Sequence, residues 1–168
     1  MYGIIEVAAI DCHEDEELCE EFGVYSNPEI KIFTEKANDD GEIFRGKKEW
    51  KSIMSAANRK MQNFVSIVTS DNYESFIERD QSKNKVILFT ERKSTAPLFK
   101  SLSKTYKDKL LFGECKKSEV ELYKKFGITE TPKLLVLTDP YNYQGEVYDS
   151  NEMKIDQLKK FLSNFAYS

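Results

Sequence analysis

Residues 17–33 read ELCEEFGVYSNPEIKIF, and residues 121–137 read ELYKKFGITETPKLLVL. Sliding the chain by 104 positions lays one on the other without a gap, with Leu18 on Leu122, Phe22 on Phe126, Gly23 on Gly127 and Pro28 on Pro132. Each copy has a helical pattern closed by glycine, a residue suited to a helix stop. Each then places a proline directly before an apolar run that reads as a strand. Proline cannot donate to a strand ladder and is usually kept out of such places, so the shared exception is a property of the repeat. A spacing of this size is too long for a solenoid unit and matches a small domain, which points to domain duplication.

Working outward, residues 4–10 (IIEVAAI) read as a mostly apolar, buried strand. Residues 13–24 read as a short helix with its acids in the first turn, where the helix dipole favours them, and Leu18, Cys19 and Phe22 on one face. EIKIF (29–33) and EIFRG (42–46) form a strand pair around the polar turn EKANDDG (35–41). Residues 47–64 predict a longer amphipathic helix with Trp50, Ile53, Met54 and Ala57 inward. The pattern then restarts: strand 65–69, helix 71–80 capped by Ser70 or Asp71, apolar strand KVILFT (85–90), helix 95–109, strand LLFGEC (110–115), helix 118–127 capped by Ser118, strands KLLVL (133–137) and GEVYD (145–149), and helix 154–166. The second copy is complete at β-α-β-α-β-α-β-β-α, and the first supplies only β-α-β-β-α. The division expected is a partial domain over 1–61 and a complete one over 62–168.

The 168 residues are 40% hydrophobic and 32% charged, with a net charge of −4 from intermixed Lys and Glu. No basic stripe addresses nucleic acid, and the acidic balance argues against it. No apolar stretch approaches the roughly 20 residues that span a bilayer. MYGIIEVAAI has no basic leader or cleavage pattern and does not read as a signal peptide. A strand that begins at once is expected to continue a longer polypeptide, in which case missing targeting signals say nothing about location.

The order β-α-β-α-β-α-β-β-α with a proline before the fourth strand resembles the thioredoxin fold. VAAIDCHEDEELCEEFGV and SNPEIKIF resemble more specifically the protein disulfide isomerase family, and KVILFTERKSTAPLFKSLSKTYKDKLLFGECKKSE resembles the cysteine-free domains of J-protein–thioredoxin fusions. The resemblance implies an α/β, thioredoxin-like fold: one complete domain preceded by the C-terminal half of another. It implies cis X-Pro bonds at Asn27–Pro28 and Thr131–Pro132, affordable because cis costs only about 0.5–1 kcal/mol before proline. On that reading the prolines are bends that begin a strand, and Asn27, Pro28, Thr131 and Pro132 border a peptide-binding surface.

The family's chemistry needs Cys-x-x-Cys at the N-terminus of the second helix, where the dipole and backbone N–H groups stabilise a thiolate. That position holds ERKSTAPLF, with Ser94 and Pro97 roughly where the cysteines would stand. No sulfur is present there. A nucleophilic Ser94 lacks a base, since the lone His13 lies in the other copy. The residues instead predict a helix capped by Ser94 or Thr95, with Pro97 in its first turn. Cys12 and Cys19 lie seven residues apart across a strand–helix corner. Similar spacing in disulfide isomerase-like domains is a structural disulfide, which competes with two separate buried thiols. Zinc would need more ligands than Cys12, Cys19 and His13 provide, so neither a metal nor a cofactor is expected. Cys115 reads as a lone strand thiol. HEDEELCEE reads as a solvated face rather than a calcium site, and the tyrosines of DPYNYQGEVY sit in ordinary turn chemistry around Pro140, Asn142 and Gly145.

These residues and the resemblance together imply a non-catalytic module that binds unfolded or folding client proteins, and co-chaperones, in the lumen of the endoplasmic reticulum. SNFAYS closes the chain without a retention tetrapeptide. The alternative is a piece of an active thiol–disulfide oxidoreductase with Cys-x-x-Cys upstream of residue 1. The truncated first copy leaves strand edges open. Three repairs are expected to compete: residues 4–10 pair with 29–33, they dock on the complete copy, or two chains form a homodimer.

Overall fold

Helices and strands follow in the order α1 (Glu16–Glu21), β1 (Lys31–Ile32), β2 (Glu42–Ile43), α2 (Trp50–Lys60), β3 (Val65–Val68), α3 (Tyr73–Glu78), β4 (Asn84–Thr90), α4 (Pro97–Thr105), β5 (Leu110–Lys116), α5 (Val120–Lys125), β6 (Lys133–Asp139), β7 (Gln144–Val147) and α6 (Ile155–Ser163). The computed structural model describes residues 4–36, 38–150 and 152–166. They fall into two units, Met1–Met61 and Gln62–Ser168. Among the described residues, no helix is long and apolar enough to cross a membrane.

The second unit contains the β-α-β-α-β-α-β-β-α order in full. Its sheet runs β3-β5-β4-β6-β7. β3 and β4 are parallel to β5, and β6 is antiparallel to β4 and β7. β4 lies in the middle with helices on both faces, which is why its sequence is apolar without alternation. Its side chains still alternate in direction. Val86 and Leu88 join Phe99 and Leu102 of α4, Leu158 and Leu162 of α6, and Phe112 and Val136. Ile87 and Phe89 join Tyr73 and Phe76 of α3, Leu122 of α5, and Leu135. Gly113 permits α3 to approach the sheet: a Cβ there would lie 2.6 Å from Val68 Cγ2 and 2.8 Å from Phe76 Cζ.

The first unit is α1-β1-β2-α2. β1 and β2 pair antiparallel, Lys31 with Ile43 and Ile32 with Glu42. The repeat extends to individual backbone bonds. Phe44 N donates to Ile30 O at 2.8 Å, as Tyr148 N does to Leu134 O at 2.9 Å. Val24 N donates to Cys19 O, as Ile128 N does to Tyr123 O, both at 2.8 Å. Gly23 and Gly127 stop the two helices with φ of +65° and +64°, a left-handed conformation that glycine adopts without steric cost. In the turn between β1 and β2, Asp39 accepts from Thr34 Oγ1 at 2.6 Å, Thr34 N and Gly41 N. These bonds hold its carboxyl down to about 2. They therefore contribute above the ordinary carboxylate range and are lost as pH falls through about 2. Ala37 of this turn lies outside the described residues.

Several expectations are corrected here. Residues 4–10 form no strand, with Val7 92% and Ile10 48% exposed. Their counterpart, β5, is held by β3 and β4 on either side. The first copy has no counterpart of those strands, and an unpaired extended segment gains no ladder bonds. Residues 4–10 also do not pair with 29–33, whose β1 portion pairs with β2. Trp50 points outward at 71% exposure, and Ala56 is the buried residue of α2. The expected caps also move. The N-cap of α3 is Asn72, whose Oδ1 accepts from Thr69 N. That of α5 is Glu119, whose carboxylate accepts from Ser70 N. That of α4 is Ala96, and no side chain caps it. At α5 the partner is tertiary, 49 positions away, whereas at α3 the competing bond is local, three positions away.

Candidate functional site

α4 begins at Pro97, whose missing N–H is one the first turn leaves unpaired anyway. The loop before it, residues 91–96, follows the C-terminal end of β4. Ser94 is exposed in that loop, whereas Thr95 is buried. Thr95 does not cap the helix. Its hydroxyl turns inward and donates to Glu114 Oε2 at 2.7 Å. Glu114 is fully buried, and its Oε1 lies 2.8 Å from Lys116 Nζ. Lys116 Nζ also donates to Arg92 O at 2.7 Å, tying the loop to β5. Lys100 of α4 faces the same carboxylate: burial pulls its ammonium down, and the Glu114 charge pulls it back up. A buried carboxylate is costly without such partners. Sequence reasoning missed this cluster, although a charged residue inside LLFGEC was a usable signal.

The other wall is the turn into β6. The Thr131–Pro132 bond is cis, and so is Asn27–Pro28 in the first unit. Thr131 Oγ1 donates to Glu91 Oε1 at 3.1 Å, and Lys117 Nζ reaches the same oxygen at 2.5 Å. The Lys117 bond, then Thr131, hold the Glu91 carboxyl below its usual range. The structure thus brings Thr131 against the loop that carries Ser94 and Pro97. Pro132 is exposed at this edge, and Asn27 and Pro28 are exposed in the first unit.

Cys12 and Cys19 are joined by a disulfide spanning seven positions, with Cα atoms 5.7 Å apart. Cys19 is buried within an acid-rich helix whose Glu16 and Glu17 occupy the first turn. Closing so short a loop is worth about 2.5 kcal/mol on the loop-entropy scale. Non-reduced protein is expected to lose no mass-detectable thiol to alkylation at Cys12 or Cys19, and recovery of both as alkylated thiols would contradict the bond. Cys115 is a buried free thiol. Burial, followed by the Glu119 charge, pushes it up to about 12. It remains a thiol at neutral pH and is a poor nucleophile. His13 is exposed, and its backbone N–H donates to Asp11 Oδ1 at 2.9 Å. Among the described residues, no cluster of three His, Cys, Asp or Glu side chains could hold a metal.

Two of the three loop tyrosines are structural. Tyr143 stacks on Tyr73 with ring centroids 5.1 Å apart, and Lys125 Nζ lies 4.8 Å from its centroid. Tyr148 is a core residue whose hydroxyl bonds Gln157 Oε1 at 3.0 Å. Tyr141 stays exposed.

A doubly covered sheet of this order, with a helix N-terminus facing an X-Pro turn, defines a thioredoxin-like domain. The family model described as DJC16, thioredoxin-like domain 2, matches residues 67–165. The chain belongs to that family, a J-protein-related branch of the thioredoxin-like and protein disulfide isomerase proteins. It is 30% identical over 171 residues to a putative protein disulfide-isomerase of Dictyostelium discoideum, covering 98% of this chain and 41% of that protein. It is 24% identical over 171 residues to a mitochondrial thioredoxin domain-containing protein of Schizosaccharomyces pombe, covering 98% of this chain and 47% of that protein. The crystal structure of full-length ERdj5 superposes with a TM-score of 0.65 at 18% identity, over 96% of this chain and 25% of that one. That likeness shows the fold. The chain spans less than half the length of each of these proteins.

Proposed function

We propose that this thioredoxin-like module binds extended segments of unfolded or folding client proteins, and co-chaperones that accompany them, without exchanging thiols. One observation carries the reading: the helix N-terminus that faces Thr131–Pro132 presents Ser94 and Pro97 instead of a thiol pair, and the nearby Cys115 is buried and held protonated. The surface keeps a loop braced by Glu91 and Glu114 while lacking a sulfur nucleophile. The disulfide isomerase relatives support the class of client, and the resemblance to their family supports the lumen of the endoplasmic reticulum as the compartment. Protection of the chain from added protease in intact microsomes checks the compartment.

Binding is tested with reduced, carboxymethylated α-lactalbumin as the unfolded probe, titrated by fluorescence anisotropy. Saturable binding is expected. Thr131→Arg should weaken it about 10-fold, equivalent to about 1.4 kcal/mol, by filling the edge beside Glu91. Absence of saturable binding, or an unchanged Thr131→Arg variant, overturns the reading. In an insulin-reduction assay the chain is expected to show background turnover. Turnover above background that disappears in Cys12→Ser or Cys19→Ser would assign redox chemistry to the first unit.

A further inference from the structure

We infer, on the reading that the Thr131–Pro132 edge holds extended client segments, that this edge selects segments carrying acidic side chains. The repeat supplies the control. Residues 12–29, ending just past Pro28, contain seven Asp and Glu and no Lys or Arg. The matching residues 116–133 contain five Lys against three Glu. One pattern of helix, helix stop and X-Pro turn therefore carries a charge of −7 in the first copy and +2 in the second. Lys116, Lys117 and Lys133 stand where the first copy has Cys12, His13 and Glu29. In a chain of net charge −4, a cationic X-Pro edge is a local departure.

The sheet gathers these cations at one end. Lys116 closes β5 opposite Thr90 of β4, and Lys133 opens β6 opposite Phe89. Both flank the loop 91–96, which adds the exposed Arg92 and Lys93. The nearby acids are already engaged. Glu114 holds Lys116 at 2.8 Å and Thr95 at 2.7 Å, and Glu91 takes Lys117 and Thr131. Among the described residues this leaves Arg92, Lys93 and Lys133 outside any ion pair, against the exposed Glu130 of the turn. An extended segment turns every second side chain to one face, so acids at alternate positions face this edge together. Complementary charge of this kind steers the right partner in and disfavours a basic one.

The probe is a synthetic peptide of repeating Ala-Glu-Thr, compared with its Ala-Gln-Thr isostere by calorimetric titration into the full chain at low salt. The glutamate peptide is expected to bind about 10-fold more tightly, the scale of a few exposed ion pairs acting together. The preference should vanish in about 1 M salt, where the screening length falls to about 3 Å. Amide exchange should slow over residues 91–96 and 129–133 and stay unchanged over 13–29. The double variant Arg92→Glu, Lys93→Glu is expected to remove the preference while the glutamine peptide still binds. Lys107→Glu, Lys109→Glu makes the same charge change at exposed positions before β5, at the opposite end of the sheet, and should leave the preference intact. Equal binding of the two peptides overturns the acidic selectivity and leaves the client reading standing. Binding of neither, while carboxymethylated α-lactalbumin still binds, also overturns the selectivity alone; loss of all three overturns the client reading as well. Equal loss of preference in the two double variants would assign it to net charge and not to this edge, and overturns the inference. So does a salt-sensitive dimer, seen by sedimentation equilibrium, that excludes the peptide by setting the acidic residues 12–29 of one copy against the cations of another.

Discussion

Phe89→Ala is expected to destabilise the second unit by about 3–5 kcal/mol, the usual cost of deleting a fully buried phenyl ring and leaving a cavity. Phe89 has no exposed surface. Its ring lies edge-on to Tyr123 at 5.1 Å and tilted to Phe126 at 5.3 Å. It thus joins the central strand to the helix-stop segment at Gly127, and the cavity cannot collapse without moving both. The loss would appear as a lower denaturant midpoint for the transition that exposes residues 62–168. Phe33→Ala is the control. Phe33 is a strand-end aromatic of the first unit, its ring edge-on to Phe22 at 5.5 Å, but it is 47% exposed, and its truncation should cost only about 2 kcal/mol because about half of the ring leaves water on folding. Equal losses at the two sites would contradict the difference in burial between the units.

Glu114→Ala is expected to cost about 3 kcal/mol, near the low end for breaking a buried ion pair. The carboxylate is fully buried, but the Lys116 side chain is 22% exposed, so water partly screens the abandoned ammonium. Thr95 loses the acceptor of its hydroxyl, and the partly buried Lys100 loses its counter-charge. Glu114→Gln keeps the volume and an acceptor for Thr95, and is expected to cost about 1–2 kcal/mol as a weakened hydrogen-bond set. The discriminating readout is local. Amide exchange in residues 92–97 should accelerate more in Glu114→Ala than exchange in β6, because Lys116 also holds Arg92 O. Uniform acceleration across the unit would mean that Glu114 contributes only to global stability and does not brace the loop.

The duplication, the strand-entry prolines and the α/β order of the second copy were legible in one dimension. Gly23 and Gly127, and the apolar runs 84–90 and 110–116, report local conformation and two-sided burial, and both leave a mark on sequence. The substitution of Ser94 and Pro97 for a thiol pair was legible for the same reason, since residue identity alone decides which nucleophile is available. Whether residues 4–10 become a strand was not legible. IIEVAAI has the right composition, but a ladder bond belongs to two segments, and the segments that hold β5 have no counterpart in the first copy. The outward turn of Trp50 follows from its place in the repeat, since its counterpart in the complete copy, Lys154, is also exposed. Thr95 facing Glu114 rather than capping α4, and Thr131 reaching Glu91, join residues 19 and 40 positions apart. Capping preference is a local energy that sequence displays. A buried carboxylate's demand for partners is stronger, and only the packed sheet and helix bring those partners within reach.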